Sequence, residues 1–377
     1  MTKLPSLQVQ AGYHSRHFSV CWAKLPERVE LPRDVRLVSA KVCHEGQIVI
    51  TPDGSYLGFV LDRLPAGRQK TLTVEPDDSA RPLVALRDTH GRIDVSIDDD
   101  PFTSYHYSAE VARPYLYPVL GPGGVSLTRT IEKSGAPGYD HPHHRSVWIS
   151  HGLINGTDNW SEDPGHGRTA HREFASVESG PVMGTIVEYC DWVTASGARI
   201  MGDRRIIRFY ALPEGARCVD FTCKLSTGHD AVLFGDTKEG GMLSVRVNPQ
   251  IEAPAGTIEN SFGGVSEDET WGKRAHWCDY SGTIDGVPAG IAILDHPANY
   301  GHPVYWHVRN YGLMTANPFG VSYFEPGSGK RGDWVLGANS EVTFRYRLYI
   351  HEGDVRKGRV AEAYRDYVSP PVCQWVE

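Results

Sequence analysis

Six of the 17 histidines in the chain, His141, His143, His144, His151, His166 and His171, fall within 31 positions. Four of them belong to "YDHPHHRSVWISHGLINGTDNW" (Tyr139 to Trp160), beside Asp140 and Arg145. Imidazole titrates near neutrality, so one histidine oriented by one carboxylate suffices for proton transfer. A metal site asks for more, namely neutral imidazoles converging with a carboxylate, and His141, His143 and His151 with Asp140 are the candidates. No second spaced ligand motif accompanies this H-x-H. Acid/base chemistry is therefore the leading expectation; no cofactor is required by the sequence, and a divalent metal is the alternative. The plain reading against both is that such histidines cap loops by bonding to backbone carbonyls.

Two further stretches carry reactive side chains. In "FGDTKEGGMLSVRV" (Phe234 to Val247) a strand runs into Asp236, Lys238 and Glu239 and then a glycine pair. Adjacent opposite charges usually mark a solvated turn. In a functional reading, Gly240 and Gly241 let the backbone approach a ligand while Lys238 and Glu239 face a pocket. The third region joins "WGKRAHWCDYSG" (Trp271 to Gly282) to "LDHPANYGHPVYWHVRNYGLMTANPFG" (Leu294 to Gly320). It gathers Trp271, Arg274, His302, Trp306, His307, Arg309, Tyr311 and Asn317. Aromatic rings interleaved with Arg, His and Asn suit a sugar, whose C–H faces stack on rings while its hydroxyls take hydrogen bonds. Strand alternation separates His307 and Arg309 from Trp306, so one set faces the pocket and the other the core.

These residues need a frame of strands. Pro142 makes the front of the histidine segment a loop, and "RSVWISHG" is the strand it enters. Arg145, Val147, Ile149 and His151 then share one face, and His144, Ser146, Trp148 and Ser150 the other. Short runs such as "GTIVEYCDWVT", "RRIIRFYAL", "RCVDFTCKLS" and "EVTFRYRLYIH" continue through most of the chain, bounded by turn residues. Glycine (40) and proline (25) agree with many turns and few helices. The expected fold is all-β: a large antiparallel β-supersandwich over residues 79–377, preceded by a small β-sandwich over residues 1–78. The polar "EPDDSARP" (Glu75 to Pro82) is the linker. One helix is expected in "DVRKGRVAEAYRDYV", starting at Asp354, with Val360, Ala363, Tyr364, Tyr367 and Val368 on one face.

A formal charge of -8, with no basic stripe, excludes a nucleic-acid surface. No apolar run reaches the roughly 18 residues of a membrane span, and nothing reads as a signal peptide. Seven scattered cysteines without a C-x-x-C point to a reduced, cytoplasmic protein. A small-molecule carbohydrate is the expected partner, and a homo-oligomer is compatible with the sequence.

"RPYLYPVLGPGGVSLTR", "DHPHHRSVWISHGLINGTDNW", "GDTKEGGMLSVRV", "WGKRAHWCDYSG" and "DHPANYGHPVYWHVRNYGLMTANPFG" together resemble, in the same order, the soluble methane oxygenase PmoA family from about Arg113 onward. The name belongs to a membrane subunit, whereas this chain carries no membrane span. The strand count and "ANSEVTFRYRLYIHEGD" are also similar to galactose mutarotase-like supersandwich proteins. The resemblance implies sugar metabolism and a site on the concave face of a large sheet, with a histidine and a carboxylate as acid and base. It assigns His141, His143, His144 and Arg145 to D-H-P-H-H-R, Lys238 and Glu239 to D-T-K-E-G, and His302, His307 and Arg309 to H-P-x-x-W-H-x-R. Ser146 stands where that pattern has glycine. The expected catalytic residues are His141, His143, Lys238, Glu239 and His307. The expected substrate contacts are His144, Arg145, His151, Trp271, Arg274, His302, Trp306, Arg309 and Asn317. The leading function is acid/base chemistry (elimination, hydrolysis or epimerisation) on a sugar or keto-sugar glycoside. A metal-dependent oxygenase or lyase and a non-catalytic sugar-binding module are the alternatives.

Overall fold

The computed structural model describes residues 4–40, 42–133, 139–213 and 215–376. Two eight-stranded antiparallel sheets face each other, as the alternating strands require. Strand Glu341–Glu352 shows the cause: Phe344, Tyr346, Leu348 and Ile350 enter the shared core, while Arg345, Arg347 and Tyr349 point away from it.

One sheet, here the site sheet, runs in the order Tyr305–Arg309, Leu313–Asn317, Gly240–Arg246, Val147–His151, Tyr115–Val119, Asp100–His106, Arg92–Ile97 and Val84–Asp88. The backing sheet runs Arg168–Glu178, Met183–Val193, Arg199–Ala211, Arg217–Ser226, Glu341–Glu352, Val287–Asp295, Trp277–Ile284 and Thr257–Asn260. Its core side also holds a polar cluster. Oδ2 of Asp203 accepts from Arg205 Nε (2.8 Å) and Trp192 Nε1 (3.0 Å), all three residues being buried.

The N-terminal strands, from Ser6–Gln10 to Gln69–Pro76, form a seven-stranded sheet with its own core around Leu7, Leu37, Phe59 and Leu72. It curls until its edges meet, where Trp375 Nε1 donates to the Lys24 carbonyl at 2.8 Å. The seventh strand is Val372–Val376, which pairs with Ser6–Gln10. The expected N-terminal unit is thus extended by a strand from more than 350 positions away, as in the Ser6 to Val376 pairing. This sheet packs on the outer face of the backing sheet through Val20 and Trp22 against Met183, Tyr210 and Cys218.

The helix beside it is Val360–Val368, shorter than expected. Asp354 instead accepts from the Arg356 and Lys357 amides in a preceding turn, and Arg359 adopts a left-handed φ of 54° that ends helical propagation. Of the expected face, Val360, Ala363, Tyr364 and Tyr367 pack with Trp277 and Leu294, while Val368 at the helix end is not part of that cluster. No helix is long and apolar enough to cross a membrane among the described residues.

Candidate functional site

Register across the site sheet lines up Tyr115, Trp148, Ser244, Thr315 and His307 in one row. This row lies on the face away from the main core, which takes Val147, Ile149, Val245, Met314 and Trp306 instead. Beside this row, on the far side of the Trp160 ring that packs against Trp148, lies a cavity of about 460 Å3. His141 and His143 line it from the loop before Val147, Lys238 and Glu239 from the loop before Gly240, and Trp160, Tyr311 and Tyr323 supply rings.

The histidine loop is fixed from below. Rings of Tyr311, His141, His144 and Trp148 stack in series, with centroid separations of 4.8, 4.8 and 5.5 Å and interplanar angles of 14°, 7° and 22°. His141 Nδ1 lies 2.7 Å from Asp140 Oδ2, which leaves Nε2 as the ring nitrogen available to a ligand. Asp140 is itself clamped by Arg129 Nη1 (2.6 Å) and Arg246 Nη2 (3.0 Å) through Oδ1. Burial opposes its ionisation, but the bond to His141 and the Arg246 charge outweigh it and hold its pKa below the usual range. An ionised Asp140 keeps the His141 proton on Nδ1.

Burial keeps His143, His144 and His307 neutral. Burial, reinforced by Arg113 and His141, lowers the His143 pKa to about 4. Burial pushes that of His144 well down. His307, in the same row, falls to about 3 through burial and then the Lys238 and Arg309 charges, and its Nδ1 accepts from Trp271 Nε1 at 2.9 Å. His307 and Trp271 therefore hold each other.

Three carboxylates line the cavity, and two of them serve the backbone. Asp158 accepts from the Trp160 and Ser161 amides (2.8 and 3.0 Å), and Asp236 from the Gly332 amide (2.9 Å). Among the described residues Glu239 is paired with Lys238 alone, and both are more than a third exposed, at 39% and 38%. Asn317 sets their loop: its Nδ2 donates to the Thr237 and Lys238 carbonyls (3.0 and 3.2 Å), while Oδ1 accepts from the Phe319 and Gly320 amides.

Several sequence expectations are corrected. His151 lies on the core face against Phe234 and Phe319, bound through Nε2 to the Gly235 carbonyl at 2.9 Å. It cannot join His141 and His143 around a metal, and among the described residues no three or more His, Cys, Asp or Glu side chains are arranged to hold one. Trp306 is fully buried in the core, with Nε1 on the Ala275 carbonyl. Arg145 turns away to Glu162 (Nε to Oε1, 2.9 Å), which fastens the histidine loop to the Trp160 loop. Arg274 lies outside the cavity, spread over Tyr305 and bound to the Gly301 and Pro303 carbonyls. His302 belongs to another cluster, 2.6 Å from buried Asp295 and stacked on His276. Arg309 pairs with Glu267 at 3.2 Å and packs over Tyr311. His144 and Asn317 position other groups from buried sites. Gly240 and Gly241 admit neighbouring chain rather than a ligand: a Cβ on Gly241 would sit 2.2 Å from the Ala316 carbonyl oxygen.

The sequence reading did not select Arg246, Arg129 or Trp160 for the site. Arg246 had a signal, since an arginine between Val245 and Val247 in an otherwise buried strand must have partners.

Fold and cavity together define a two-sheet β-supersandwich protein with an Asp–His pair over one sheet face. The chain belongs to the family of unknown function DUF6807, which matches residues 92–365. That span contains every cavity residue named above and omits the N-terminal sheet. No curated protein matches the sequence. Among solved structures, the chain is similar to one named Polysaccharide Lyase BACCELL_00875, at 9% identity and a TM-score of 0.31. The similarity covers 75% of this chain and 34% of that one, so the chain spans about a third of that structure's length.

Proposed function

We propose that this protein is a carbohydrate-active enzyme that moves a proton on a sugar or keto-sugar glycoside, with His141 as the acid/base group. The observation that carries the reading is the 2.7 Å contact between His141 Nδ1 and the clamped Asp140, on a ring that lines an aromatic-walled cavity. Its Nε2 lone pair takes a proton from a C–H next to a carbonyl, and Asp140 stabilises the imidazolium formed. The electron pair moves onto the carbonyl oxygen as an enolate, which the Lys238 ammonium offsets. The imidazolium then returns the proton to a departing oxygen as the enolate collapses, giving elimination; for epimerisation the Lys238 ammonium protonates the carbon from the opposite face while the first proton stays on His141. Trp160, Tyr311 and Tyr323 provide faces for a pyranose.

Incubation of keto-glycosides and unoxidised glycosides with the protein in D2O tests this by NMR. Deuterium entry at the carbon beside the carbonyl is expected, and His141→Ala abolishes it. Exchange that proceeds equally in His141→Ala sinks the proposal. Binding that survives the substitution without any turnover by the unmodified chain would instead favour a sugar-binding module.

A further inference from the structure

The outer face of the backing sheet is covered at one end by the N-terminal sheet and by the helix Val360–Val368. Beyond them it carries an open recess of about 320 Å3 with an unusual charge pattern. Register places Tyr189 opposite Arg204, and Arg204 opposite Lys224. Like charges directly opposed across antiparallel strands are unfavourable. Arg204 makes no hydrogen bond or ion pair with a carboxylate among the described residues, while Lys224 reaches Glu341 at 2.5 Å.

Two more guanidiniums are drawn to the same recess. Arg172 lies over the Tyr189 ring at 5.2 Å, and Arg172 and Arg199 share one carboxylate, Asp191, at 3.7 and 2.7 Å. Gly202 forms the floor. A Cβ there would meet Arg199 Nη2 at 2.5 Å, so the missing side chain lets the guanidinium fold into the hollow. Three arginines and a lysine thus gather at the recess, in a chain whose formal charge is -8; of the carboxylates there, Asp191 holds Arg199, Glu341 holds Lys224, Glu173 reaches Arg172 at 3.4 Å and Asp203 is taken by Arg205, which leaves Arg204 unmatched among the described residues. Guanidinium forks match the paired oxygens of an oxyanion, and such a ligand would relieve the repulsion between Arg204 and Lys224.

We infer that this recess is a second binding site, separate from the His141 cavity, for the carboxylate, sulfate or phosphate group of a small anionic ligand. Arg204 is its central contact, and Arg172 and Lys224 flank it.

Calorimetric titration of the full chain with phosphate, sulfate and glucuronate, at ionic strength held constant with KCl, is the test. Saturable one-site binding is expected for at least one of the three. Arg204→Gln and, separately, Lys224→Gln weaken it by about tenfold, as loss of a charge-assisted contact implies. Lys330→Gln, an exposed cation elsewhere, leaves it unchanged. Tighter binding of glucuronate supports the site and assigns it to carboxylated sugars; tighter binding of phosphate or sulfate supports it and assigns it to esterified ones. Heats matched by added chloride, or equal affinity in Arg204→Gln and the unmodified chain, overturn the inference.

Discussion

Nη1 of Arg246 lies 3.1 Å from Nδ1 of His144. A guanidinium only donates, so His144 must accept at Nδ1 and is held as the neutral tautomer with its proton on Nε2. The same arginine reaches Asp140 Oδ1 at 3.0 Å and Glu252 Oε1 at 3.2 Å, which joins the ring stack to the carboxylate that orients His141. Arg246→Lys keeps the charge and loses the fork. Turnover in the exchange assay is expected to fall by about 10- to 100-fold while the chain stays folded by circular dichroism. Full activity in the lysine variant would show that charge alone sets the loop.

Asp140→Asn removes the carboxylate that stabilises the imidazolium and weakens the preference for the Nδ1 proton. The rate should drop by roughly 100-fold or more, within the range that positioned acid/base groups contribute, with a smaller change in KM. A rise in KM at constant kcat would place Asp140 in ground-state binding instead.

Acid stability follows from the buried histidines. Burial lowers His143 and His151 to about 4, and burial with the Lys238 charge lowers His307 to about 3. In the unfolded chain each titrates near 6.5. Between the two values the unfolded state binds protons that the folded state does not, so stability falls as pH drops from about 6.5 and that loss ends near 3 to 4. Above about 6.5 these groups contribute no pH dependence. Urea midpoints measured from about pH 7.5 down to 5 should decrease, and His151→Asn should flatten the decrease. Identical slopes in the variant and the unmodified chain would contradict this assignment.

Asp203 gives a stability prediction independent of the cavity. Its replacement by alanine leaves Arg205 buried and unpaired and frees Trp192 Nε1. A loss of about 3–5 kcal/mol in chemical denaturation is expected. A loss under about 1 kcal/mol would mean that water or a rearranged neighbour takes over the guanidinium.

Much of this architecture is legible in the sequence, because strand alternation reports which residues share a face. Val147 and Ile149 separate from Trp148, and Trp306 from His307 and Arg309, by parity alone. Parity does not say which face is the core. Val147–His151 is buried on both sides, since the Trp160 loop covers Trp148, and His151 therefore reads as readily toward the cavity as toward Phe234. His302 sits close to His307 in sequence and Arg274 close to Trp271, but both lie outside the cavity through turns whose direction local pattern does not encode. The Asp140 clamp is nonlocal in the same way, because Arg246 comes from a strand 106 positions later.

The pairing of Ser6–Gln10 with Val372–Val376 also orders events during synthesis. Domains ordinarily fold as they leave the ribosome, the earliest first. Here the sheet made first keeps an open edge at Ser6–Gln10 until residue 376 has emerged, long after both large sheets have been translated. Its closure is a late step, and until then that edge remains a strand awaiting a partner, exposed to any other nascent chain that offers one.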